Sequence, residues 1–290
     1  MVRTTSKKKA VATAPAKKRE VSTDNVDISL MMRQDAGRGV STSAEDNIIP
    51  LIYVLQSLSP QALKQKQEYI KGAAAGNIWP RGSKTLIDGD EGVPVILAAV
   101  RKWWVEWRPE RGQGLAGKHE YVEKDMINKG RPGDAEQIKD PKTGNVSWVR
   151  AVSGNVLVET REHAVLAYID GKWSPYVISM KGSDHKCARE WNGERMRKQL
   201  PPPNDDIRPP SYAFVYNLKT VAKTNDRGDW YGWAYENGMG DGEVTEITSL
   251  ENGVELYQMA RALDKAFMAG DKNAELEHDE AGDDVEENDI

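Results

Sequence analysis

The sequence predicts an α+β fold that is mostly β, an antiparallel curved sheet or small barrel with two or three flanking helices between disordered ends. Three observations carry that prediction. The run Val93 to Trp107, Val-Pro-Val-Ile-Leu-Ala-Ala-Val-Arg-Lys-Trp-Trp-Val-Glu-Trp, is the most strand-like stretch in the chain. Further short alternating runs follow it, separated by Gly-rich turns. Both ends lose their large apolar residues and fill with charge, so they cannot bury enough surface to offset the entropy of ordering.

Composition sets the bounds. The chain has 290 residues, 39% of them apolar, which suffices for a real core and leaves room for tails. A single cysteine, Cys187, excludes a disulfide framework and a cysteine zinc cluster, and the four histidines show no metal-ligand spacing. No apolar run approaches the ~20 residues that span a bilayer, and the N-terminus lacks the apolar stretch of a signal peptide. A soluble protein of a reducing compartment is expected, with no cofactor.

The net charge of −5 is very unevenly placed. Residues 1–20 carry seven Lys or Arg against Glu20, and residues 271–290 carry ten Asp or Glu against Lys272. Taking this +6 and −9 from the total of −5 leaves −2 for residues 21–270. The expected organisation is a basic arm over 1–46, one β-rich domain over 47–270, and an acidic tail over 271–290. A nearly neutral domain binds nucleic acid only through a local basic patch and stacking.

In chain order, Ile48, Leu51, Ile52, Leu55 and Leu58 recur at helical spacing before Ser59-Pro60, which predicts a short amphipathic helix. Residues 68–79 read as turns leading into a short strand at Trp79, and Asp88-Gly89 as a turn before the central strand. In that strand the first half is apolar on both faces. Beyond Arg101, Trp103, Val105 and Trp107 alternate with Lys102, Trp104 and Glu106, so burial of the first set predicts exposure of Trp104.

Residues 108–131 read as a loop, in which Gly112, Gly114, Gly117 and Lys118 nearly spell a phosphate-binding loop. That reading fails on the residues themselves. His119 stands where a magnesium-binding hydroxyl is needed, and Gly130-Arg-Pro-Gly133 arrives too soon for the helix that completes the cradle. Asp170-Gly171, between alternating runs at 155–169 and 172–180, marks a hairpin instead. Together with the turn at Lys142-Thr-Gly-Asn145, it makes residues 146–180 three successive antiparallel strands.

Ser183 is placed to cap a helix to about Leu200 with Cys187, Ala188, Trp191 and Met196 inward and a basic outer side. Proline clusters at 201–203 and 209–210 end it. An aromatic-rich hairpin over 211–224 and 229–236 follows, and a helix over 249–269 with Val254, Leu256, Tyr257, Met259, Ala260, Leu263, Ala266 and Phe267 on its buried stripe.

Short antiparallel strands, Gly-rich turns and a helix between strand groups describe an OB-like barrel. The tail ends in Asn288-Asp-Ile290, an aliphatic side chain beside the terminal carboxylate amid acids, as the tails of bacterial and phage single-stranded-DNA-binding proteins commonly do. The order Pro50-Leu-Ile-Tyr-Val-Leu-Gln-Ser-Leu-Ser-Pro60, Tyr69-Ile-Lys-Gly-Ala73, Glu106-Trp-Arg-Pro109 and Val158-Glu-Thr-Arg161 resembles a family of tailed-phage early proteins associated with single-stranded DNA binding. The resemblance covers about residues 45–235.

It implies a non-catalytic protein of phage DNA replication or recombination in the cytoplasm of the bacterial host. No paired-carboxylate, Ser/His/Asp or metal-ligand spacing argues for an enzyme. On this reading bases stack on Trp79 and Trp104 and on some of the aromatics between Tyr212 and Tyr235. Arg101, Lys102, Arg108, Arg150, Arg161, Lys181, Lys186 and Arg189 neutralise phosphates. Asp283, Asp284, Glu286, Glu287, Asp289 and Ile290 form the tail's docking segment for replication or recombination proteins, and the tail competes with DNA. No membrane partner is expected, and self-association stays open. The alternative is a virion structural or assembly protein in which the aromatics are core and the charged ends join subunits.

Overall fold

The computed structural model describes residues 48–109, 114–139, 141, 144, 146–200, 206–225, 228–270 and 273–274. The arm over 1–46 and the acidic run from 275 to Ile290, with its expected docking residues, lie outside them. In chain order the strands are β1 (Ile48–Ile49), β2 (Leu51–Val54), β3 (Ile78–Pro80), β4 (Val93–Trp107), β5 (Leu115–Glu120), β6 (Ala135–Lys139), β7 (Val146–Arg150), β8 (Val156–Ile169) and β9 (Lys172–Lys181). Helix α1 (His185–Arg197) precedes β10 (Phe214–Asn225), β11 (Gly228–Asn237) and β12 (Thr245–Glu246), and α2 (Gly253–Ala269) precedes β13 (Asn273–Ala274).

Everything hangs on β4 and β8, which pair antiparallel from Val95↔Ala167 to Trp107↔Val156. The early half of β4 also pairs β10, and its late half pairs β5. On the other side, β8 gives its late half to β9 and its early end to β7. The result is a body, β11-β10-β4-β8-β9-β2-β3, and a wing, β5-β4-β8-β7-β6, that share two strands. All of these junctions are antiparallel except β9 with β2.

The body is a curled, open half-barrel with a core on each face. Val93, Val95 and Leu97 of β4 point inward with Val165 and Ala167 of β8 and Phe214, Tyr216 and Leu218 of β10. Helix α1 adds Cys187, Ala188 and Trp191 to that interior. On the outer face, Ile96, Leu166, Val177 and Val215 pack under Leu256, Ala260, Leu263 and Phe267 of α2. A β-bulge between Leu97 and Ala99 puts Ala98 and Ala99 together on the outer side and returns Val100 to the inner one.

The two ends of the curled sheet are tied by a side chain. Gln56, just past β2, donates from Nε2 to the Tyr231 carbonyl at 2.8 Å and accepts from the Tyr231 amide at 2.9 Å, as a neighbouring backbone would. Thr220 adds to the tie, donating from Oγ1 to the Gly76 carbonyl at 2.7 Å and from its amide to the Gly89 carbonyl at 3.0 Å.

Several expectations hold and several do not. The Asp170-Gly171 hairpin forms with φ of 51° and 77°, the paired positive values that a two-residue primed turn needs. The three strands of 146–180 and the aromatic hairpin are present. The segment 48–58 is not a helix but β1 and β2, because Ile, Tyr and Val fill it and both β9 and β3 offer it a ladder. The segment 108–131 contains β5, so Lys118 sits on a strand. Helix α1 spans only His185–Arg197, with Met196 exposed and Ser183 in the preceding turn, and α2 begins at Gly253, with Val254 and Met259 exposed. Asn273 and Ala274, expected in the tail, pair with Ile48 and Ile49.

Two outcomes follow for stability. Gln56→Leu leaves both polar groups of Tyr231 without their partner and should cost about 1–3 kcal/mol in urea unfolding. His163 lies in the interior, its ring stacked 5.1 Å from Trp191, and burial drives its pKa from 6.5 down to about 3. The unfolded chain therefore binds a proton that the folded chain refuses, so this stabilisation is complete above pH 6.5 and is lost as pH falls towards 3. The loss should reach about 1.4 kcal/mol per pH unit, and unfolding of His163→Leu between pH 6.5 and 4.5 should lack that component.

Candidate nucleic-acid interface

The wing has two faces, and alternation along β4 assigns residues to them. Lys102, Trp104 and Glu106 continue the face that lines the body's interior; Trp103, Val105 and Trp107 continue the face that α2 covers.

The first face is covered by residues 121–134, with Trp148 of β7 beside Trp104 on the same face. Trp104 is only 5% exposed, stacks on Tyr121 with centroids 6.1 Å apart, and donates its indole N–H to the Lys129 carbonyl at 3.1 Å. The Arg131 guanidinium lies 3.6 Å from the Trp148 ring centroid and 4.8 Å from that of Trp104. Asp125 holds the covering segment by accepting backbone N–H bonds from Ile127, Asn128 and Gly130, which keep its carboxyl below the ordinary range.

Glu106 is the electrostatic centre of this face. It accepts from Asn155 Nδ2 at 2.6 Å and Arg150 Nη1 at 2.8 Å, and pairs with His119 Nε2 at 2.6 Å. Burial pushes its carboxyl up, but these hydrogen bonds outweigh burial and leave it below its usual value. Arg150 also donates from Nε to Asp134 at 2.6 Å, and that bond, with burial opposing, raises its already high pKa.

Several expected site residues are therefore placed otherwise than the sequence suggested. Trp104 is core, and so is Trp79, which is 8% exposed, stacked on Tyr53 at 5.9 Å and bonded to the Ser83 carbonyl. Arg150 is committed to two carboxylates, Arg161 is paired with Glu159 at 3.3 Å, and Lys102 with Glu123 at 3.2 Å. The reason is common to all of them. Alternation tells which residues share a face, while the covering segment and the pairing carboxylates come from elsewhere in the chain.

The second face carries the half-exposed indoles. Arg101 lies 4.2 Å over the Trp103 ring, and its Nη1 donates at 3.0 Å to the carbonyl of Phe267, where the last turn of α2 favours a cation. Lys181 lies 5.1 Å over the Trp107 ring. The two indoles are four residues apart on one strand face, roughly 13 Å at the rise of a β-strand. Lys118 is on this face as well, joined to the buried Glu162. Arg108 follows β4 and is exposed, as are Lys186 and Arg189 on α1. Sequence reasoning missed Trp103 and Trp107 as surface groups, and missed Arg131; the density of Arg and Trp around 101–107 was the available signal.

Among the described residues no cluster of His, Cys, Asp or Glu could hold a metal ion, and no helix is long and apolar enough to cross a membrane. Residues 21–273 match the sequence model of a phage family described as Pam3 phage gp34-like protein. No curated protein and no solved structure matches the chain.

The assignment of Trp104 to the core has a direct consequence. Trp104→Ala should cost about 3–5 kcal/mol in chemical unfolding, as a buried aromatic does, where an exposed stacking residue would cost about 0.5 kcal/mol or less.

Proposed function

We propose that the chain, which belongs to the Pam3 phage gp34-like family, is a non-catalytic single-stranded-DNA-binding protein of phage replication or recombination, acting in the host cytoplasm. The observation that supports this reading best is the indole face of the wing, where Trp103 and Trp107 are half-exposed and each is covered by a cation. A base can take the place of the cation over the ring while the cation moves to the adjoining phosphate, so stacking and neutralisation are supplied at one point. Arg108, Lys186 and Arg189 are further exposed cations. The acidic tail, −9 over residues 271–290, acts as a tethered polyanion that competes for these cations and presents Ile290 to partner proteins.

A second reading, a virion structural or assembly protein, is favoured by a different observation. Trp79 and Trp104 are core, and Lys102, Arg150 and Arg161 are held by carboxylates, so much of the aromatic and basic content serves the fold.

Fluorescence titration with oligo(dT) at several salt concentrations separates the two. Binding should weaken steeply with salt through counterion release, and Trp107→Ala should cost about 1–3 kcal/mol, the range for one stacked base. Removing residues 275–290 should tighten binding, most at low salt. An absence of binding, or binding indifferent to salt and to Trp107→Ala, supports the structural reading.

A further inference from the structure

A concave site lies between α1 and the β10–β11 hairpin, a cleft of about 610 Å3. Its wall is aromatic. Trp230 is fixed there by donating its indole N–H to Ser183 Oγ at 3.1 Å, and Tyr235 lies on the same strand. Buried Trp233 and Cys187 also line the cleft, and burial pushes the Cys187 thiol up to about 12, so it stays protonated and unreactive.

The polar groups are arranged with equal care. Lys223 donates from Nζ to Asp184 Oδ1 at 2.9 Å and to the Ser183 carbonyl at 3.2 Å, which leaves one of its three protons. Asp184 Oδ1 also accepts the Trp233 amide at 3.0 Å, so its charge is answered within the wall. This pair presses on the β11 backbone at Gly232, where a Cβ would sit 2.4 Å from Lys223 Nζ and 2.5 Å from Asp184 Oδ1. Any side chain at Gly232 would displace the pair. Lys186 stands exposed at the rim, with Glu190 one turn further along α1.

A flat ring with the Ser183 hydroxyl at its edge, and lysines balanced by acids, describe a site for a base whose attached phosphodiester carries one negative charge. The balance disfavours a triphosphate or the chain's own acidic tail, both of which would meet Asp184 and Glu190. We infer that this cleft is a single-nucleotide subsite, with a base on Trp230 and its phosphodiester at Lys186 and the remaining proton of Lys223. Lys181, which covers Trp107, is two residues from Ser183 along the chain. The inference rests on the single-strand reading.

The dinucleotide d(TpT), with one phosphodiester, tests it on the full chain through tryptophan fluorescence. Saturable quenching is expected, weakened roughly tenfold or more by Trp230→Leu, as for loss of a stacked base, and to a lesser degree by Lys186→Glu. Circular dichroism checks folding of Trp230→Leu, and Lys186→Glu tests the same cleft from an exposed position. An absence of saturable quenching at millimolar d(TpT), or quenching that neither cleft variant weakens, overturns the inference. If oligo(dT) still binds through Trp107 in that event, the subsite fails and the single-strand reading stands; if oligo(dT) also fails to bind, both fall.

Discussion

The ladder between β4 and β8 is the constraint on which the rest depends. Each strand is long enough to belong to the body and the wing at once, and every other strand of the two is placed directly or through a neighbour on one of their outer edges. Because side chains alternate strictly, a single bulge at Leu97–Ala99 decides what both halves present. It makes the interior of the half-barrel continuous with the Trp104 face, and the α2 face continuous with Trp103 and Trp107. A slip of one residue would exchange a buried carboxylate network for a half-exposed pair of indoles.

The wing shows how a nearly neutral domain disposes of its cations. Arg150 satisfies Glu106 and Asp134, Lys118 satisfies Glu162, and Arg131 fills the space between two indoles. Such pairs serve the fold, since removing one member would leave a partly desolvated charge without its partner. The cations over Trp103 and Trp107 differ, because each faces a half-exposed ring that a ligand can share. Proximity to an aromatic thus has two meanings here, and burial separates them.

The functional proposal and the cleft draw on the same chemistry at two scales. The indole face suits a chain of stacked bases held with little sequence preference, since every base has a π-face. The cleft, with its ring fixed by Ser183 and its charges balanced, suits one base and one phosphodiester. Each surface then has its own task.

Much of the architecture was legible in the sequence. The long central strand, the Asp170-Gly171 hairpin and the aromatic hairpin rest on local signals, namely period-two alternation and turn residues with positive φ, and the chain carries these wherever it folds. The segment 48–58 was misread because its apolar residues suit a helix or a strand equally, and only the neighbouring β9 and β3 resolve it. For the site, alternation correctly divided Trp103 and Trp107 from Trp104 but could not say which set is covered. That was decided by residues 121–134 folding over Trp104, and by carboxylates such as Glu106 and Asp134 reaching Arg150 from distant positions. A local period determines which side chains share a face; only contacts between remote segments determine which face meets water.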